Sequence, residues 1–183
     1  MPRFQPLDPE HANGKASILL EAVQSKLGFV PNIMKTFAQA PAALEAYLNF
    51  SKALGTGTLD ARLREQIAVA AAGVNSCGYC ASAHTAAGGK LGIDSAELLE
   101  NLEAKSGDPK TEAALRFTRA VIEDRGFVSD DDVRLIREAG YSDGEIIEII
   151  ANISLNLYTI YFNHIAQTVN DFPEIKVGEA QAA

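Results

Sequence analysis

Cys77, Cys80 and His84 stand at positions i, i+3 and i+7, and eleven residues separate Glu65 from Cys77. On a helix these three side chains share one face. Two cysteines one turn apart have Cα atoms roughly 5–6 Å from each other, close enough for a reversible disulfide. An imidazole one turn beyond Cys80 can take the thiol proton. A helix N-terminus next to Cys77 adds partial positive charge and favours thiolate. Glu65, on the preceding helix, can orient or charge-pair His84 directly or through water. The set holds a nucleophile, a base, an orienting acid and a resolving thiol. Two other readings use the same residues: a pair of inert buried cysteines beside a satisfied histidine, or a Cys-Cys-His zinc site. One helix supplies only three ligands, and the rest of the chain has no cysteine to complete a metal site. The pattern therefore favours thiol redox chemistry, with no metal and no bound cofactor.

The elements that must hold these residues read as helices throughout. Apolar positions recur at helical spacing from Gly14 to Leu27, and Gly28 ends that run. Pro31 and Pro41 can each open a helix, toward Gln39 and Leu54. After the Gly55–Thr58 turn, with Thr58 as N-cap, a helix runs from Leu59 to about Ala72. Its small residues, Ala68 to Gly73, permit close packing. A break at Gly73–Ser76 precedes the helix that starts near Cys77 and ends at Gly88-Gly89. Asp94 or Ser95, Asp108-Pro109, Ser129 and Ser142 mark four further starts, the last helix reaching about Val169. The tail after Lys176 reads as loose. No segment alternates as a strand, so the fold expected is all-α with about eight helices in one domain. The pattern argues against a thioredoxin-like arrangement, whose CxxC follows a strand, because no strand precedes Cys77.

Composition agrees with this and narrows the partners. Alanine supplies 29 of 183 residues and tryptophan none, a helix-leaning balance. The formal charge is −8, from 16 basic and 24 acidic residues. That argues against nucleic acid and anionic membrane, which need clustered Lys and Arg. Met1–Glu10 holds three prolines and no apolar run, so it does not read as a signal peptide. The stretch Ile146–Ile165 is interrupted by Glu148, Asn152, Ser154, Asn156, Asn163 and His164 and reads as a buried helix rather than a membrane span. A cytoplasmic location is expected.

The pattern Glu65…Cys77-x-x-Cys80-x-x-x-His84, on an all-helical chain of this size, resembles alkylhydroperoxidase D-like proteins of the carboxymuconolactone decarboxylase superfamily. The resemblance spans about Leu59 to Gly92. Asn163-His164-Ile-Ala-x-Thr168 and Asp171-Phe-Pro173 also resemble the C-terminal signature of peroxidase-related members. The resemblance implies an alkylhydroperoxidase D-like fold, trimers or hexamers, and cysteine-dependent reduction of small hydroperoxides with an external dithiol protein as reductant. It implies Cys80 as the peroxide-attacking sulfur, Cys77 as the resolving one, His84 as base and Glu65 as relay partner. One position departs: the family places a histidine between the cysteines, and Gly78 and Tyr79 stand there instead. Tyr79 can donate a hydrogen bond but is a poor base near neutral pH. A lactone decarboxylase working by proton transfer, and a non-enzymatic redox sensor or disulfide relay, are the alternatives.

Glu145 and His164 repeat the separation of Glu65 and His84. Superposing them aligns Ile147 with Ile67 and puts Leu157 and Ile160 at the cysteine positions. Residues 142–169 thus read as a cysteine-free pseudo-repeat of the motif-bearing core 59–92. Asn163 and His164 are candidate accessory residues, as is Tyr79. The aromatic group Tyr158, Tyr161 and Phe162 reads as core or subunit interface.

Overall fold

The structure is a computed structural model that describes residues 1–178; the end of the expected loose tail lies outside the described residues. After a 3-10 turn at Pro9–His11 the described residues form nine helices: α1 (Gly14–Leu27), α2 (Asn32–Phe37), α3 (Pro41–Leu54), α4 (Ala61–Val74), α5 (Gly78–Lys90), α6 (Ser95–Asn101), α7 (Pro109–Glu123), α8 (Asp130–Glu138) and α9 (Asp143–Ala166). Among the described residues there is no strand, and the fold is all-α. No described helix is long and apolar enough to cross a membrane.

The helix starts follow side-chain chemistry. Ser129 and Ser142 each form a reciprocal capping box, with Asp132 and Glu145. Asp94 and Asp108 cap α6 and α7. The start of α4 differs from expectation. Asp60, not Thr58, is its N-cap and accepts from the Leu63 N–H at 2.8 Å. The Thr58 and Leu59 amides are instead held by the Glu148 carboxylate on α9. A carboxylate takes the cap more strongly than a hydroxyl because the helix end is partially positive. At the other end of the chain α9 stops at Ala166 rather than Val169, where Gln167 turns left-handed with φ of 50°.

α4 is the axis of the fold. Every residue from Gln66 to Ala72 is buried, and α5, α6, α7 and α9 all pack on it. Its alanines and Gly73 let neighbouring backbones approach closely. A Cβ at Gly73 would stand only 2.0 Å from the Leu102 carbonyl oxygen. One apolar cluster joins Leu20, Val23, Phe37 and Leu44 to Cys77, Cys80 and Ile160. A second joins Leu63 and Ile67 to Leu115, Ile136, Ile149 and Ile153. The cysteines thus sit in the first core, where α4, α5 and α9 meet α1–α3.

Candidate active site

The joint between α4 and α5 is made by Ser76 and Cys77. Ser76 adopts the left-handed region with φ of 52°. The Cys77 N–H reaches the Ala72 carbonyl at 2.9 Å and the Ser76 N–H the Gly73 carbonyl at 3.1 Å. This paired closure is a Schellman turn, which satisfies the Ala72 and Gly73 carbonyls near the end of α4. Cys77 is also the N-cap of α5: its Sγ accepts from the Cys80 N–H at 3.3 Å. Cys77 therefore stands at the mouth of the helix, with its sulfur over the Cys80 amide. The positive end of α5 acts directly on that sulfur.

Cys77 and Cys80 are joined as a disulfide with a Cα separation of 5.3 Å. Both are sealed, at 2% and 3% exposure. Because the chain reverses over so few residues, Glu65 on α4 comes beside His84 on α5, with Oε2 2.7 Å from Nδ1. Each of these side chains is about a quarter exposed (26% and 25%), so this pair is in reach of solvent while the sulfurs are not. A carboxylate only accepts, so the contact is made by Nδ1–H, and in the neutral ring the lone pair lies on Nε2. Burial pushes the Tyr47 phenol up to about 12, and the nearby Glu65 charge adds to the shift. Tyr47 is thus a neutral neighbour of the pair.

The accessory candidates separate. Asn163 is 5% exposed and its Nδ2 donates to Cys80 Sγ at 3.4 Å. His164, one residue on and about 100° round the helix, is exposed. Tyr79 is engaged elsewhere: its hydroxyl donates to Asp171 Oδ1 at 2.8 Å and accepts from the Ile33 N–H at 3.3 Å. Burial, reinforced by the Asp171 carboxylate, raises its pKa and keeps it a donor.

Asp171 belongs to a strap that crosses the start of α5. Its second oxygen accepts from the Asn32 N–H at 2.7 Å. Ser82 Oγ accepts from Asn170 Nδ2 at 3.0 Å and from the Ile175 N–H at 2.9 Å. Phe172 packs edge-on against Tyr79 and Phe29, and Ile175 and Val177 lie against the cysteine-bearing core. Sequence reasoning missed Ser82. Nothing in a serine within a run of small helical residues marks it as the anchor of a segment some 90 residues away. Asp171→Ala is expected to lower the melting temperature by about 2–10 °C, the cost of leaving the Tyr79 hydroxyl and Asn32 amide unpaired. It is also expected to speed reduction of the disulfide by a small dithiol. A thermal melt and timed alkylation with mass detection check both.

Residues 41–124 match the carboxymuconolactone decarboxylase family. Several solved structures share the fold. A peroxidase-related protein with an alkylhydroperoxidase core, from Ralstonia eutropha JMP134, is 25% identical, with a TM-score of 0.82 over 93% of this chain and 92% of the other. A peroxidase-related protein from Silicibacter sp. TM1040 is 24% identical, with a TM-score of 0.78 over 91% and 92%. A cysteine-to-alanine variant of the debrominase Bmp8, solved with 2,3,4-tribromopyrrole, is 19% identical, with a TM-score of 0.80 over 93% and 92%. These last two likenesses concern the fold alone. No curated protein matches the chain significantly. The chain thus carries a carboxymuconolactone decarboxylase family domain over residues 41–124, on an all-helical, alkylhydroperoxidase D-like fold.

Proposed function

We propose that the protein is a thiol-dependent hydroperoxide reductase. The observation that carries this reading is the Cys77–Cys80 disulfide at the mouth of α5, with the Glu65–His84 pair one turn further along. In the reduced enzyme His84 Nε2 takes the Cys80 thiol proton, and Glu65 steadies the imidazolium that forms. The Cys80 thiolate attacks the terminal peroxide oxygen and the O–O bond breaks. The departing alkoxide takes the proton from His84, leaving Cys80 sulfenic acid and an alcohol. Cys77, favoured as thiolate at the helix mouth, attacks the Cys80 sulfur. Hydroxide leaves, takes up the proton that the Cys77 thiol gave up and becomes water, and the disulfide closes. An external dithiol protein reopens it by exchange. In this reading the whole chain acts as one domain: residues 59–92 hold the chemistry and α9, within the cysteine-free 142–169, supports it.

A second part of the proposal concerns assembly. Ile147, Ile150, Tyr158, Tyr161 and Ile165 are exposed on α9 and fall on one stripe, about 27 Å long at helical rise. Such a contiguous apolar face supports a homo-oligomer.

The test is peroxide consumption by the purified protein with a dithiol present. Loss of hydrogen peroxide or an organic hydroperoxide is expected, with one Cys77–Cys80 disulfide formed per peroxide in a single turnover. A protein whose thiols stay reduced under excess peroxide defeats the reading. Lactone decarboxylation that survives thiol blocking would instead favour the proton-transfer alternative.

A further inference from the structure

Three asparagines occupy one inward face of α9: Asn152, Asn156 and Asn163. All are buried, at 3%, 6% and 5% exposure. The first two behave alike. Asn152 Nδ2 donates to the Glu148 carbonyl and Asn156 Nδ2 to the Asn152 carbonyl, each at 2.8 Å and one turn back along the helix. This local bond is the usual resting place for a short polar side chain within a helix. Asn163 departs from it. Its Nδ2 reaches across to Cys80 Sγ, 83 residues away in sequence, and its Oδ1 is buried with no partner among the described residues. A sealed acceptor without a donor costs about 1–3 kcal/mol, so its presence beside a reactive sulfur points to a donor that arrives with the chemistry.

We propose that Asn163 is a catalytic residue whose Nδ2 holds the Cys80 thiolate and whose Oδ1 receives the O–H of the incoming hydroperoxide. This rests on the reading of Cys80 as the sulfur that meets peroxide. The two ends of the amide match the two partners. A thiolate only accepts, and the amide nitrogen donates to it. A hydroperoxide carries one O–H, and the amide oxygen is free to accept it. The oxygen bearing that hydrogen is thereby placed next to the sulfur. As the S–O bond forms, the O–O bond breaks and its electron pair leaves with the alkoxide, which takes a proton from His84. The sulfur is oxidised by two electrons and the peroxide is reduced to an alcohol. The hydrogen on Oδ1 is retained, now as the O–H of Cys80 sulfenic acid. When Cys77 attacks, that oxygen departs as water and Oδ1 is again without a donor, the state seen in the disulfide form.

The experiment uses Cys77→Ser as the background, so that Cys80 titrates alone and its sulfenic acid accumulates. The titratable groups that remain near it, His84, Glu65, Tyr79 and Tyr47, are common to all samples. Into this background go Asn163→Ala and Asn163→Asp, the second of which keeps the shape of the side chain. Ultraviolet titration of the thiolate is expected to show a midpoint raised by about one pH unit in Asn163→Ala and further in Asn163→Asp, where a carboxylate faces the sulfur. Sulfenic acid formation, measured by trapping with a carbon nucleophile above both midpoints, is expected to slow about tenfold in Asn163→Ala, because the hold on the O–H is lost. If the alanine variant does not fold, the aspartate variant carries the test. An unchanged midpoint in Asn163→Asp overturns the proposal, as does a rate above the midpoint that is the same in variant and parent. If the parent itself forms no sulfenic acid with any hydroperoxide, the reading of the protein as a peroxide reductase falls, and this proposal with it. Asn163-independent behaviour in a reactive parent defeats this proposal alone.

Discussion

Cys80→Ser is expected to bring peroxide reduction down to the uncatalysed background, whereas Cys77→Ser is expected to react once and stop. The asymmetry follows from where each sulfur sits. Cys80 lies inside α5, one turn from the imidazole proposed to take its proton, with an amide nitrogen 3.4 Å from its Sγ. A serine hydroxyl there stays protonated at neutral pH and is a weak nucleophile toward peroxide oxygen. Cys77 sits at the cap, its sulfur over the amide of Cys80. In the proposed cycle it attacks the sulfur of its neighbour and leaves again when a reductant arrives. Without it the sulfenic acid has no local thiol to condense with. Mass spectrometry is expected to find one added oxygen on Cys77→Ser and none on Cys80→Ser. His84→Ala is expected to slow the same step by about 10²-fold, the loss of a general base. If Cys80→Ser consumed peroxide as fast as the parent, Cys80 would not be the peroxide-attacking sulfur.

The largest expected effect on stability comes from Gly73→Ala. The added methyl would meet the Leu102 carbonyl oxygen at 2.0 Å, its carbon at 2.7 Å and its Cα at 2.9 Å. These are backbone atoms and cannot rotate aside as a side chain could. α4 and the end of α6 must separate, and α4 is the helix on which four others pack. Overpacking in a dense core costs typically 1–3 kcal/mol and occasionally more; at this joint we expect a loss at the top of that range. That corresponds to a melting temperature lower by about 6–12 °C. Gly89→Ala is the matched control. Gly89 is also helical, but nothing lies within 4 Å of its Cβ position. There alanine is expected to be neutral, or to stabilise by up to about 1 kcal/mol through helix propensity. Thermal melts of the two variants side by side check the contrast. Equal melting temperatures would show that α4 and α6 do not touch at Gly73.

Much of the fold was legible along the chain because the signals are local. Gly28, Pro41, Asp108-Pro109, Ser129 and Ser142 each mark a boundary through their own backbone or side-chain chemistry, and the helices begin or end there. Thr58 shows where local signals run out. It is an acceptable cap in isolation, but Glu148, 90 residues away, takes its amide, and Asp60 caps α4 instead. The strap is harder still to read. Its hydrogen bonds to Tyr79, Ser82 and Asn32 join residues that no periodicity relates.

Two pairs at one spacing divide what the sequence determined from what the tertiary structure decided. Glu65 and His84 are 19 residues apart, and so are Glu145 and His164. The residue types and the separation alone place both pairs on an equal footing. What separates them is the path of the chain between. Residues 75–77 reverse direction through the left-handed Ser76 and the Cys77 cap, so Glu65 and His84 meet at 2.7 Å. Residues 143–166 form one unbroken helix, which holds Glu145 and His164 about 28 Å apart along its axis. Glu145 there closes a capping box with Ser142. The sequence by itself determined the helical class, the positions of most helix ends and the placing of Cys80 and His84 one turn apart, since each depends on neighbours a few residues away. The fold decided which acid meets the histidine, which asparagine reaches the sulfur and what covers it, because those contacts depend on how whole helices pack.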